Sequence, residues 1–131
     1  MKFAVASSAN ARGQMREKQR RDRAATQTLK MRFPQIGSLR LDFEFTGAGP
    51  FTPAPQVNVM HPPAKAYFVF PCPHADCDGE FDLTTQVESL ARDAGKTATG
   101  HLGCPGHRSV DRKGRAPCGL GLDYTIEVIP E

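Results

Sequence analysis

No apolar run in this chain approaches the roughly 20 residues that a helix needs to cross a bilayer, so no membrane-spanning segment is expected. The stretch Phe3-Ala-Val-Ala6 falls short of the roughly 7 to 15 apolar residues of a signal-peptide core, although Ala9-Asn10-Ala11 imitates a cleavage site. The expected compartment is therefore the cytoplasm, with no membrane partner. Several catalytic signatures are missing as well. There is no G-x-x-x-x-G-K-[ST] phosphate loop, no G-x-S-x-G nucleophile turn, no H-E-x-x-H and no H-x-E with P-C-x-x-C. The C-x-x-C spacing with which oxidoreductases tune a thiolate is also lacking. These absences remove the familiar routes to hydrolysis, phosphoryl transfer, deamination and thiol redox, and the expected protein is not an enzyme.

What is present is a short chain with four cysteines. At 131 residues, it has room for one small domain with a tail. Such a domain buries too little apolar surface to be comfortable without a staple. The cysteines fall in two pairs, Cys72 with Cys77 and Cys104 with Cys118, each bordering segments that read as strands. Disulfides compete as an explanation, but they need an oxidising compartment; in the cytoplasm thiols stay reduced and metal binding is the better reading. Two thiolate corners brought together make a tetrahedral site suited to structural Zn2+.

The ligand set has a rival, because Cys104-Pro-Gly-His107 has a compact C-x-x-H spacing and imidazole is also accepted by zinc. Ligand softness and the place of Cys118 at a strand mouth favour Cys72, Cys77, Cys104 and Cys118. His74, inside the first corner, reads as a neighbour of the site or an exposed residue. His61 and His101 lack ligand-like spacing, and Asp76, Asp78 and Glu80 read as turn-forming charges.

Around the cysteines the pattern is β-rich. Leu39, Leu41, Phe43 and Phe45 alternate with Arg40, Asp42, Glu44 and Thr46, which predicts a strand with one wet face. Prolines at 53, 55, 62 and 63 keep the next segment irregular apart from a short strand over Val57–Met60. A further strand is expected over Ala64–Phe70, running into Cys72. Thr85 and Glu88 have capping-box spacing ahead of Val87, Leu90, Ala91 and Ala94, so a helix is expected there, ending at Gly95. Lys96–Gly103 reads as a strand leading to Cys104. Leu120, Leu122, Tyr124, Ile126 and Val128 form a closing strand. The expected fold is α+β: a small antiparallel sheet with one packed helix and a structural zinc site, over residues 33–131, preceded by a basic helical or disordered arm over residues 1–32.

Strand, cysteine corner, strand, second corner and closing strand together resemble the zinc-ribbon class. The resemblance covers roughly residues 65 to 129 and rests on the four cysteines with Gly79 and Gly119. The chain departs from that pattern in the four residues inside the first corner, the thirteen between Cys104 and Cys118, and the inserted helix. The resemblance implies an architecture and no particular function.

Charge supplies the functional clue. Residues 1–40 hold ten Lys or Arg against Glu17 and Asp22, a net +8, whereas residues 41–131 hold seven against twelve acids, a net −5. Ala11, Met15, Ala24, Ala25 and Leu29 are too sparse for a buried stripe, so the arm reads as solvated, and Met15 offers an alternative start. The loop between Cys104 and Cys118 is basic too. Phosphate contacts are therefore expected from Arg16, Lys18, Arg20, Arg21, Arg23, Arg108, Arg112, Lys113 and Arg115, with DNA, RNA or a ribonucleoprotein as partner. The alternative is a protein-interaction adaptor that docks a protein partner through its sheet or its proline-rich segment.

Overall fold

The structure, a computed structural model, describes residues 8–47, 52–93, 96–109 and 115–130. The chain opens with α1 (Ser8–Ala24) and the single turn α2 (Leu29–Arg32), followed by β1 (Ile36–Thr46) and β2 (Gln56–Met60). A short hairpin of β3 (Val69–Pro71) and β4 (Glu80–Asp82) leads into α3 (Thr84–Arg92). Then come β5 (Thr97–Gly103), a second hairpin of β6 (His107–Ser109) and β7 (Arg115–Pro117), and β8 (Gly121–Pro130). The main sheet is antiparallel throughout, in the order β2-β1-β8-β5.

Alternation in β1 and β8 decides which face is buried. Leu41 pairs with Ile126, Phe43 with Tyr124 and Phe45 with Leu122, and all six side chains are buried on one face. Ala98 and Leu102 of β5 extend this apolar surface. The covering layer is made by Phe68, the β3–β4 hairpin and α3. Phe70 meets Phe43 edge-on with ring centroids 5.0 Å apart, and Phe81 meets Phe45 at 6.2 Å. Val87 and Leu90 bury the apolar side of α3, which packs against β5 and β8. This is the expected α+β architecture, with the hairpin that carries the first cysteine pair seated on the core.

Three local expectations come out differently. The capping box does not form: α3 begins at Thr84, whose N–H donates to the Asp82 carboxylate at 2.9 Å, while Glu88 pairs with Arg32. Asp82 lies directly before the first turn and reaches an orphan amide more easily than Thr85 can. The helix stop expected at Gly95 lies outside the described residues. The strand expected over Ala64–Phe70 is regular only in β3, because the backbone before it is claimed by the segment after α1. Leu29 N–H donates to Ala64 C=O at 2.7 Å, and Ala66 N–H donates to Gln27 C=O at 2.8 Å. Leu29, read from sequence as part of a solvated arm, is fully buried in the core as a result.

Among the described residues no helix is long and apolar enough to cross a membrane. The layered core makes a simple prediction. Leu41→Ala should lower the unfolding free energy by about 2–5 kcal/mol in denaturant titrations. Glu44→Gln, on the wet face of the same strand, should change it by less than about 0.5 kcal/mol.

Candidate metal centre

Each cysteine sits where a strand begins or ends, and the backbone closes both corners in a similar way. In the first, Cys72 N–H donates to Gly79 C=O at 3.0 Å and Cys77 N–H to His74 C=O at 3.1 Å. In the second, Cys104 N–H donates to Leu120 C=O at 2.8 Å and Cys118 N–H to Gly106 C=O at 2.9 Å. The thirteen residues between Cys104 and Cys118, which looked like a loop-sized insertion, include the paired strands β6 and β7. His107 stands opposite Pro117 and Arg108 opposite Ala116, so the excursion returns to its starting point. Cys104 and Cys118 therefore flank the base of a hairpin, and the spacing does not open the corner.

All four Sγ atoms lie within 4.8 Å of one another. Cys72 and Cys118 are 3.8 Å apart, Cys77 and Cys104 3.6 Å. A disulfide would need about 2.05 Å, and all four cysteines are free. A tetrahedron with metal–sulfur bonds of about 2.3 Å has an edge of about 3.8 Å, so the four thiols fit one metal ion. His107, the rival ligand, is exposed and stands outside this cluster, its N–H donating to the Asp78 carboxylate at 2.8 Å.

Sulfur ionisation in the cluster is uneven. Hydrogen bonding from Cys72 holds Cys104 down to about 5. Burial pushes Cys77 up to about 12. Cys72 is raised further, by its hydrogen bond to Cys104 and by burial. Thiols that keep their protons must lose them to an incoming ion, so metal affinity falls as pH falls.

Two glycines set how closely the corners approach. Gly79 N–H donates to Cys77 Sγ at 3.3 Å, and Gly106 N–H to Cys104 Sγ at 3.4 Å. Each amide stabilises negative charge on the sulfur of its own corner. The two glycines also touch each other: a Cβ on Gly106 would run into the Gly79 backbone and come within 2.8 Å of Cys77 Sγ, and one on Gly79 would come within 2.5 Å of Cys104 Sγ. The sulfurs can converge because neither residue has a side chain. Gly119, the other glycine expected beside a cysteine, has φ +75°, a left-handed conformation that glycine adopts without strain.

Polar groups wrap the outside of the centre. Arg108 Nε and the Asp76 carboxylate pair at 2.9 Å across the two corners, both partly buried. Burial pushes Asp76 up, but the hydrogen bond and charge of Arg108 outweigh it and hold the carboxyl below its usual range. His74 is buried, and its Nε2 has no hydrogen-bond partner; desolvation and then Arg108 lower its pKa. Arg12, which sequence reasoning passed over as part of the arm, has the most unexpected position. Its Nη1 donates to the carbonyl oxygens of Cys72 at 3.0 Å, His74 at 2.6 Å and Cys77 at 2.8 Å. The only trace of this in the sequence is the helical spacing of Arg12, Met15 and Gln19, which line the face of α1 turned to the body.

The other expected contact residues lie apart from the sulfurs. Arg16, Lys18, Arg20, Arg21 and Arg23 are exposed on α1. Lys18 pairs with Asp22 at 2.7 Å, Arg20 with Glu17 at 2.5 Å, and Arg23 lies over the Tyr67 ring. Arg108 is turned toward Asp76. Arg112 and Lys113 lie outside the described residues, and Arg115 is placed only as the first residue of β7. No family model, curated protein or solved structure matches the chain.

Removing a ligand should be far more damaging than removing a core methyl group. Cys72→Ser is expected to lose metal retention and cooperative unfolding, read by metal analysis and thermal melts; a well-folded, metal-free variant would rule out a structural site. Gly106→Ala keeps all four sulfurs yet should weaken metal affinity by at least about tenfold in chelator competition, by analogy with the loss of other groups that orient ligands.

Proposed function

We propose that the chain is a zinc-stabilised, zinc-ribbon-like module that binds nucleic acid, as DNA, RNA or within a ribonucleoprotein, and performs no chemistry of its own. Four soft sulfur donors in a tetrahedral arrangement favour Zn2+ over harder divalent ions. Four protein ligands saturate such an ion and leave no coordination position for water or substrate. The zinc is then a structural element, and Cys72, Cys77, Cys104 and Cys118 are its ligands.

The observation that carries the nucleic-acid reading is the position of the basic helix. α1 runs beside β6, so its exposed arginines lie next to the hairpin raised between Cys104 and Cys118. A shallow groove there is lined by Met15 and Lys18 of α1, by Gly106 and His107, and by the acids Asp78 and Glu80. The exposed cations of α1 suit an anionic backbone running along the helix. The ion pairs of Lys18 and Arg20 are no obstacle, since both are solvent-exposed, are screened by salt and exchange readily for phosphate. Arg108, committed to Asp76, contributes to the field more than to direct contact.

A second reading, the protein-interaction adaptor, draws on the sheet edge. β2 is an edge strand whose Val57 and Val59 are 56% and 50% exposed. A salt titration separates the two. If four or five cations of α1 contact phosphates, the slope of log affinity against log salt should be about −4 on duplex DNA, and Arg16→Ala with Arg21→Ala should reduce it by about 2. Absence of any affinity for a mixed DNA and RNA pool at low salt would remove this reading and leave the adaptor.

A further inference from the structure

We infer that α1 is the outer wall of the metal centre and that Arg12 couples its docking to metal loading, so the basic helix has a fixed place only when the cysteines hold their ion. The inference rests on the zinc reading above and adds a control over the surface that reading uses. It starts from the three carbonyl oxygens that meet Arg12 Nη1, those of Cys72, His74 and Cys77. They belong to a single turn, and two of them belong to ligand residues. Three carbonyl dipoles aimed at one point repel one another unless a cation occupies that point. The guanidinium supplies it through one nitrogen, whose two N–H groups are shared among the three oxygens.

Two further side-chain contacts anchor α1 among the described residues, and the helix also runs beside β6. Gln19, buried, donates to the Glu80 carboxylate at 2.8 Å, and Arg23 stacks over Tyr67 at 5.1 Å. Glu80 opens β4, three residues after Cys77, so the Arg12 and Gln19 anchors both grip the same corner. They lie two turns apart on one helix face, with half-buried Met15 between them. No broad apolar stripe backs this contact. A helix held mainly by polar anchors to one turn depends on that turn being in shape.

The shape of the corner in turn depends on the ion. Backbone bonds run within the first corner from Cys72 to Gly79 and from Cys77 to His74, and Asp78 and Asp76 tie it to His107 and Arg108 of the second, but none of these bonds holds the sulfurs themselves. Metal–sulfur bonds fix the two ends of the turn and thereby the direction of its carbonyls. By linkage, if the ion favours the Arg12 contact, the Arg12 contact favours the ion by the same factor. Charge works in the same sense: a divalent ion with four thiolates would carry −2, and the guanidinium is held on the backbone of two of the ligand residues.

The test uses the full chain and two readouts that involve no nucleic acid: zinc affinity by competition with a chromophoric chelator, and hydrogen exchange of the α1 amides. Arg12→Ala should weaken zinc by about tenfold, the range seen when groups supporting metal ligands are removed. It should speed exchange throughout α1 while β1 and β8 keep their protection. Arg92→Ala removes the same charge from an exposed position on α3, away from this corner, and should change neither. Gln19→Ala, a milder cut at the second anchor, should shift both readouts in the same direction by a smaller factor, and serves if Arg12→Ala does not fold. Parental zinc affinity in a variant whose α1 has been released would overturn the coupling, as would parental values of both. A parental protein that retains no zinc would overturn the metal reading itself. Coupling in a protein with no affinity for DNA or RNA would support the latch and remove only the nucleic-acid proposal.

Discussion

Four sulfurs within 4.8 Å of one another are the constraint on which the remainder of the fold turns. Thiols crowded this closely cannot all ionise by themselves, and the opposed shifts of Cys104 and Cys77 express that conflict. A divalent cation resolves it. The two corners also close the chain at points far apart in sequence: Cys72 meets Cys118 across 46 residues and Cys77 meets Cys104 across 27. A small core built from one sheet face, one hairpin and one short helix has little else to hold those segments in register. The hairpin that places Phe70 and Phe81 on the sheet is also the one that presents Cys72 and Cys77, so core and metal centre share their scaffold.

Charge around the centre follows from the same constraint. Sulfur-bound ions of this type carry a net −2, and the protein answers with groups of opposite sign. Gly79 and Gly106 point amide dipoles at the sulfurs, Arg108 spans the corners to Asp76, and Arg12 caps the carbonyls behind the first pair. Ligand orientation by such surroundings is a regular part of metal affinity. The arm and the centre are parts of one electrostatic unit, even though composition alone separates them.

How much of this was legible in the sequence depended on the range of the interaction. The alternation from Leu39 to Phe45 and from Leu120 to Val128 is a local, period-2 signal, and both strands form, facing each other. The cysteines announced themselves by chemistry, and their convergence follows from strand pairing. Other features depended on partners that a local window cannot show. The segment Ala64–Phe68 has strand composition, but its backbone is taken by residues 27–29, which read as a polar arm. Thr85 and Glu88 had the right spacing for a cap, yet Asp82 was nearer the orphan amide and Arg32 took Glu88. Arg12 is separated from its three carbonyl partners by 60 to 65 residues, and an arginine in a basic helix carries no mark of such a contact.

The division of α1 into two faces has a consequence for the direction from which a polyanion would approach. Arg12, Met15 and Gln19 turn inward, and Arg16, Lys18, Arg20, Arg21 and Arg23 are exposed around the rest of the helix. The wet face of the main sheet carries the opposite sign. Asp42, Glu44, Asp123 and Glu127 project there against Arg40 and His101, and the latter two are already paired with Asp42 and Asp123. The first forty residues sum to +8 and the remainder to −5, and the wet face of the sheet holds part of that negative charge. An anionic strand would be repelled from the sheet and drawn to the helix, an orienting effect that acts before contact and weakens with salt. The acids of the sheet, which look unhelpful to a nucleic-acid binder, would narrow the choice of docking side to the exposed face of α1.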